Sequence, residues 1–253
     1  MDRDVLTRRR VLTGVGATGV AAFVGLGAGT DDAVDYTFAS TVLDCEGFDL
    51  NAEWRETYTT DRETILLENT TASGSEDSGR EDSSDPPIIA LEDVLPEDSG
   101  VVSVRLGLDT DGDDVTVEPE LSLVLEETAE NGLTDPEEEA GDTSQNEGEL
   151  QEHIDVAVWE DTGLMDIDVF GADNMERDFG EGLLTNDDGE DAEGTLAEVA
   201  KILDGVSLGT LNDDGDTVTV SFGWEFNSEN DPINLTQSDS VKFTFDIHAE
   251  CAQ

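Results

Sequence analysis

Ser240-Val241-Lys242-Phe243-Thr244-Phe245-Asp246-Ile247-His248-Ala249 alternates apolar and polar residues without a break. Val241, Phe243, Phe245, Ile247 and Ala249 fall on one side of an extended chain, and Lys242, Thr244, Asp246 and His248 on the other. Period two marks a strand with one face in a core and one in water. The pattern recurs outward from there. Thr217 to Phe226 places Val218, Val220, Phe222, Trp224 and Phe226 inward, with Thr217, Thr219, Ser221, Gly223 and Glu225 outward. Val102 to Leu108, Leu121 to Leu125, Ile154 to Val158 (ending at Trp159) and Phe48 to Trp54 read the same way. Val34, Tyr36, Phe38 and Val42 line a first strand, and Ile88 to Leu91 is a short extra one. Turn residues separate the strands at Pro96–Gly100, Asp109–Asp114 and Asn212–Asp216. One helix is expected over Thr195 to Leu203, with Leu196, Val199, Ala200 and Leu203 on one face. Strands and helices do not alternate, which excludes a parallel α/β sheet. The expected fold is all-β: a jelly-roll-like β-sandwich with one short helix and acidic loop insertions.

The acidic loops are residues 71–86 and 135–150, rich in Asp, Glu, Ser and Gly, and read as solvated, flexible excursions that bury nothing. They belong to a chain of 253 residues with 64 Asp+Glu against 11 Lys+Arg, a formal net charge of −53. So anionic a surface repels phosphate backbones and anionic headgroups, which excludes nucleic-acid binding and electrostatic docking on a membrane. Folding at this charge fits a salt-rich solvent, where the Debye length falls to about 3 Å.

Residues 1–30 read as an export signal of twin-arginine type. Arg8-Arg9-Arg10 precedes Val11 to Ala28, an uncharged, Gly/Ala-rich apolar run with small residues at its end. Cleavage near Gly29 is expected, leaving 31–253 as one secreted domain without a stable membrane anchor. An uncleaved signal anchor is the alternative. Export favours a disulfide between the two cysteines, Cys45 and Cys251, against free thiols or bridges between subunits. Closing that loop removes on the order of 5 kcal/mol of unfolded-chain entropy. Asn69-Thr70-Thr71 and Asn234-Leu235-Thr236 are glycosylation sequons.

No catalytic, cofactor-binding or metal site is expected. The two histidines, His153 and His248, have no zinc-ligand spacing around them. Asp109, Asp111, Asp113 and Glu120 mimic a calcium loop, but Asp114 stands where the turn needs Gly, so an acidic hairpin is the simpler reading. Chance pairs among 64 acids swamp any carboxylate dyad, so spacing carries no information. Trp54, Trp159 and Trp224 read as core or rim residues, with carbohydrate stacking as the sharper alternative.

Six segments in order resemble the TasA/camelysin family, whose signal peptides are processed by a SipW-type peptidase, in the form common in halophilic archaea. They are Leu43-Asp44-Cys45-Glu46-Gly47-Phe48 through Trp54; Leu91-Glu92-Asp93-Val94-Leu95-Pro96-Glu97-Asp98-Ser99-Gly100; Glu130-Asn131-Gly132-Leu133-Thr134-Asp135-Pro136-Glu137; Val156-Ala157-Val158-Trp159-Glu160-Asp161; Phe222-Gly223-Trp224-Glu225-Phe226; and Gln237 to Val241 with Ala249-Glu250-Cys251. The resemblance spans about residues 40–253. It implies a secreted or cell-surface structural subunit of a matrix fibre or pilus. Copies, or paralogous subunits, would join by donor-strand complementation. Residues 31–42 are the donor-strand candidate, with Val34, Tyr36, Phe38 and Val42 as knobs. Pairing of this strand within its own domain is the alternative. Two other functions compete: a monomeric sandwich binding a surface glycan, and a camelysin-like metallopeptidase.

Overall fold

The computed structural model describes residues 38–45, 47–60, 63–66, 88–92, 94–110, 115–144, 146–162, 175, 177, 180–212, 215–226, 236 and 238–250. The elements in chain order are β1 (Phe38–Cys45), β2 (Phe48–Thr60), β3 (Glu63–Leu66), β4 (Ile88–Glu92), β5 (Ser99–Thr110), β6 (Glu120–Ala129), α1 (Asp135–Ala140), a 3₁₀ turn (Leu150–Glu152), β7 (Ile154–Glu160), β8 (Glu193–Thr195), α2 (Leu196–Ile202), β9 (Val206–Ser207), β10 (Thr217–Phe226) and β11 (Ser240–His248). The signal segment, Val34, Tyr36, Asn69, residues 71–86, Asp111, Asp113, Asn234 and Cys251 lie outside the described residues.

The fold is an all-β sandwich. One sheet runs β1-β2-β5-β10-β7-β8, with β3 also on β2; the other runs β4-β11-β6-β9. Every pairing is antiparallel. From β4 to β7 the chain changes sheet at each connection, and again from β8 through β11. The alternating apolar faces meet between the sheets. Phe222 of β10 lies 5.1 Å from Phe243 and 5.4 Å from Phe245 of β11, centroid to centroid, and Trp54 of β2 stacks on Phe245 at 6.0 Å. Leu50, Ala52, Val102, Leu106, Leu121, Ile154 and Val158 fill the same core. The expected helix forms as α2. Thr195 caps it by accepting the Glu198 N–H, and Leu196, Val199 and Leu203 are buried.

Three departures have physical causes. First, β10 is buried on both faces at its centre. Ser221, expected outward, is fully buried; its hydroxyl lies 2.5 Å from that of Ser103 and donates to Asp161. Asp161 also accepts the Met175 N–H at 3.1 Å. Two positions along, Gly223 leaves room for the Trp159 ring, which a Cβ there would meet at 3.0 Å. Period two marks one buried face and is silent about what covers the other.

Second, β1 breaks phase. Phe38 pairs opposite Trp54 and Ser40 opposite Ala52, but the register shifts between Thr41 and Leu43, so Leu43 sits opposite Leu50 and Cys45 opposite Phe48. Val42 is the extra residue of a bulge. The even-numbered alternation through Val42 is thereby corrected at its last position.

Third, the acidic stretch 135–150 is not a solvated loop. It contains α1, and Glu137, Asp142, Gly148 and Leu150 within it are buried. Composition counted its charges and missed the partners that hold them.

Candidate functional site

The buried acids of that stretch converge with two others. β6 ends at Ala129, which pairs opposite Ser240 at the start of β11, so Glu130 and Asp239 emerge from adjacent strand ends. The chain then turns through Gly132 (φ 124°) into α1. Thr134-Asp135-Pro136-Glu137 has the residues that start a helix: Thr at the cap, Pro in the first turn, Glu at the third position. The Glu137 carboxylate accepts the Thr134 N–H with one oxygen and the Ser238 N–H with the other. Gly141 (φ 108°) ends the helix in the left-handed conformation and turns the chain back over Asp142.

This frame holds each acid by one oxygen. Glu130 Oε1 accepts the Gly132 N–H and the Ser238 hydroxyl, both at 3.0 Å. Asp239 Oδ2 accepts the Glu149 N–H at 2.5 Å. Asp142 Oδ1 accepts the Ser144 N–H at 2.7 Å, and the Ser144 hydroxyl donates to Glu149 Oε1 at 3.1 Å. Asn131 Nδ2 donates to Ser238 O and Ser240 Oγ, which fixes the turn against β11.

The second oxygens have no such partners. Glu130 Oε2, Asp142 Oδ2, Glu149 Oε2 and Asp239 Oδ1 are shut from solvent and accept no hydrogen bond. Glu130, Glu149 and Asp239 each bring an oxygen within 4.8 Å of the other two. The donors that reach these acids are backbone N–H groups and serine hydroxyls. The ion pairs Arg105–Glu53, between β5 and β2, and Lys242–Glu127, farther along β11 and β6, do not include these acids.

Crowded carboxylates resist ionisation. Burial, followed by repulsion from Glu130, Glu149 and Glu137, pushes Asp239 up to about 7 against the pull of the Glu149 N–H. Burial also raises Glu149, against the Ser144 hydrogen bond, with repulsion from Asp142, Glu130 and Glu137 adding to it.

Gly148 closes the pocket. A Cβ there would lie 2.6 Å from Ala129 O and 2.7 Å from Asp239 Cγ. Gly148→Ala should therefore lever the Glu149 N–H off Asp239 and cost about 1–3 kcal/mol in denaturant titration. A loss within experimental error would mean that this approach is not constrained.

The residues expected to matter lie elsewhere. Trp54, Trp159 and Trp224 are at most 4% exposed, so none presents a ring to a sugar. A groove across the long sheet, lined by Thr59, Ser99, Asp155, Glu193, Glu225 and Trp224 among others, has that tryptophan in its wall, but its ring is buried to all but 3%. His248 is exposed on β11 opposite Glu120, and His153 follows the 3₁₀ turn; neither joins the carboxylates. Asp109 pairs opposite Asp49 on β2, and Glu120 opposite Ser207 and His248.

Of the donor-strand candidates, Phe38 and Val42 lie in β1, which pairs with β2 of its own chain, as the intramolecular alternative requires. Among the described residues β1 has no second neighbour, and it is the longest strand at a sheet edge. Phe38 to Leu43 carries no charge.

Glu130, Glu149 and Asp239 were missed as a site because Glu149 and Asp239 alone are 90 positions apart. The Thr134–Glu137 helix-start signal was present and would have flagged the stretch as structured. No family model matches the chain, and no curated protein matches it.

Proposed function

We propose that the chain is a secreted, cell-surface structural protein, without enzymatic activity, whose copies join by strand addition. The observation that carries this reading is the edge of β1, open among the described residues: eight residues long, uncharged from Phe38 to Leu43, in a chain of net charge −53. Charged faces of two such copies repel. An uncharged backbone edge gives them main-chain hydrogen bonds that do not depend on complementary charge. The acceptor in this reading is the β1 edge, and the donor is the segment before it, with Val34 and Tyr36. The motifs shared with the TasA/camelysin family support the same assignment. A Cys45–Cys251 disulfide belongs to the proposal. Cys45 ends β1 and packs against the core, so the bridge would anchor the loaded edge strand to the C-terminus.

The competing functions have less behind them. Glycan stacking needs an exposed ring, and all three tryptophans are buried. A zinc peptidase needs nitrogen or sulfur ligands, and the one acidic cluster among the described residues is built of carboxylates alone.

Electron microscopy and sedimentation of the mature protein in molar salt test the proposal. Fibres or a ladder of oligomers are expected. Deleting residues 31–37, which leaves β1 whole, should remove them and leave a folded monomer. A wild-type protein that stays monodisperse at every concentration, or assembly unchanged by the deletion, would overturn strand addition.

A further inference from the structure

We propose that the pocket closed by Glu130, Glu149 and Asp239 is a calcium site that fastens the 130–149 segment to the start of β11.

Buried polar atoms in native proteins almost always have partners, and a group of orphaned carboxylate oxygens requires an explanation. Here three carboxyls that come within 4.8 Å of one another each carry one: Glu130 Oε2, Glu149 Oε2 and Asp239 Oδ1. Asp239 is 2% exposed and Glu130 8%, so bulk water does not serve them. A proton shared between two carboxyls would satisfy one pair and leave the third oxygen bare. A cation would satisfy several at once.

The frame is built to present these oxygens. Each acid is gripped through its other oxygen by a backbone N–H or a serine hydroxyl, which fixes the carboxylate plane. That is how ligating carboxylates are oriented in metal sites. Gly148 supplies the close approach that brings Glu149 against Asp239.

The chemistry selects the ion. All the donors are oxygen, which favours a hard cation over zinc or copper. Three to five clustered negative charges favour a divalent ion over sodium or potassium. The three ligand oxygens lie within 4.8 Å of one another, close enough for one cation to reach all three. Magnesium prefers bonds of about 2.0–2.1 Å and keeps several waters, for which a pocket buried among side chains is a poor host.

The ligands come from both sides of the β6–β11 pairing: Glu130 from the end of β6, Glu149 from before β7, Asp239 from the approach to β11. The ion would therefore cross-link distant parts of the chain. This is independent of strand addition at β1.

The test uses the full mature chain, stripped of metal by chelation and held in molar KCl to suppress loose binding to the acidic surface. Isothermal titration with CaCl2 should show one site per chain, in the range of about 0.1–1 mM or tighter. At a hundredfold excess over Kd the melting temperature should rise by roughly 5–10 °C. MgCl2 at the same concentration should bind at least tenfold more weakly. Asp239→Asn and, separately, Glu130→Gln should each weaken calcium binding at least tenfold while circular dichroism shows an intact sheet. Glu138→Gln and Glu139→Gln, exposed on α1, should leave it unchanged. No calcium-dependent rise in the wild-type protein would overturn the proposal. So would equal binding of magnesium, or a rise of the same size in the pocket variants and the α1 variants. The wild-type titration is decisive even if a pocket variant fails to fold.

Discussion

Replacing Trp54 with alanine should destabilise the protein by about 3–5 kcal/mol. Trp54 lies in the middle of β2, which is paired on both edges, opposite Val104 of β5 and Phe38 of β1. Its ring is fully buried and stacks on Phe245 of the facing sheet, with ring planes 27° apart. Truncation would remove the contact that joins β2 to β11 and leave a cavity between two stiff layers, which close poorly around a lost indole. A domain of ordinary stability holds about 5–15 kcal/mol, so the variant should sit near its unfolding threshold. Self-repulsion at a net charge of −53 should then unfold it when salt is lowered, where the parent still folds. Denaturant titration in molar salt gives the number. Leu95→Ala, at a position 42% exposed, should change stability by no more than about 0.5 kcal/mol. Pairing Trp54→Ala with Phe245→Leu should show coupling of about 0.5–1.5 kcal/mol. A loss below about 1 kcal/mol for Trp54→Ala would mean that the sheets do not meet there.

The sandwich was legible because its strands are half-buried, and half-burial writes itself into sequence as period two. Val241, Phe243 and Phe245 are all buried, and so are Val218, Val220, Phe222, Trp224 and Phe226. Helix α2 was legible for the matching reason: Thr195 and Glu198 satisfy the backbone at its start, and Leu196, Val199 and Leu203 share a face. The rest depends on facts that no local window contains. Ser221 looks like a solvated residue until Asp161, 60 positions away, is placed against it. The bulge at Val42 follows from pairing with β2 and leaves no mark in Ser40-Thr41-Val42-Leu43 itself. The carboxylate pocket was least legible of all. Each of its acids is ordinary in a chain with 64 of them, and only the β6–β11 register, which sets Ala129 against Ser240, makes neighbours of Glu130 and Asp239. The one local clue was the pattern Thr134-x-x-Glu137 with Pro136 between, which marks a helix start inside a stretch that composition alone reads as unstructured.

In chelator, the stability of the protein should fall as pH rises from about 4 to about 7, and Asp239→Asn should flatten most of that fall. An aspartate in the unfolded chain loses its proton near pH 3.9. In the folded protein Asp239 keeps it up to about 7, because burial comes first and repulsion from Glu130, Glu149 and Glu137 follows. Between those values the native state binds more protons than the unfolded state, so the slope of stability against pH is negative. Below pH 4 both states are protonated and the penalty is absent. Above 7 both are ionised and the penalty is complete. Three pK units correspond to at most about 4 kcal/mol. Glu149 is raised as well and acts in the same direction. The measurement belongs in molar salt, where the titration of exposed acids contributes little through long-range repulsion. Asparagine keeps the shape of Asp239, and its amide oxygen can still accept the Glu149 N–H, while the charge is gone. The metal-free variant should therefore be more stable than the parent at pH 7 and no more stable at pH 4. Identical pH profiles for variant and parent would show that Asp239 ionises freely in the fold. Calcium separates the two states of the pocket further. It should restore the parent near and above pH 7, where Asp239 gives up its proton. It should do little at pH 4, where Asp239 holds its proton, and little for Asp239→Asn at either pH.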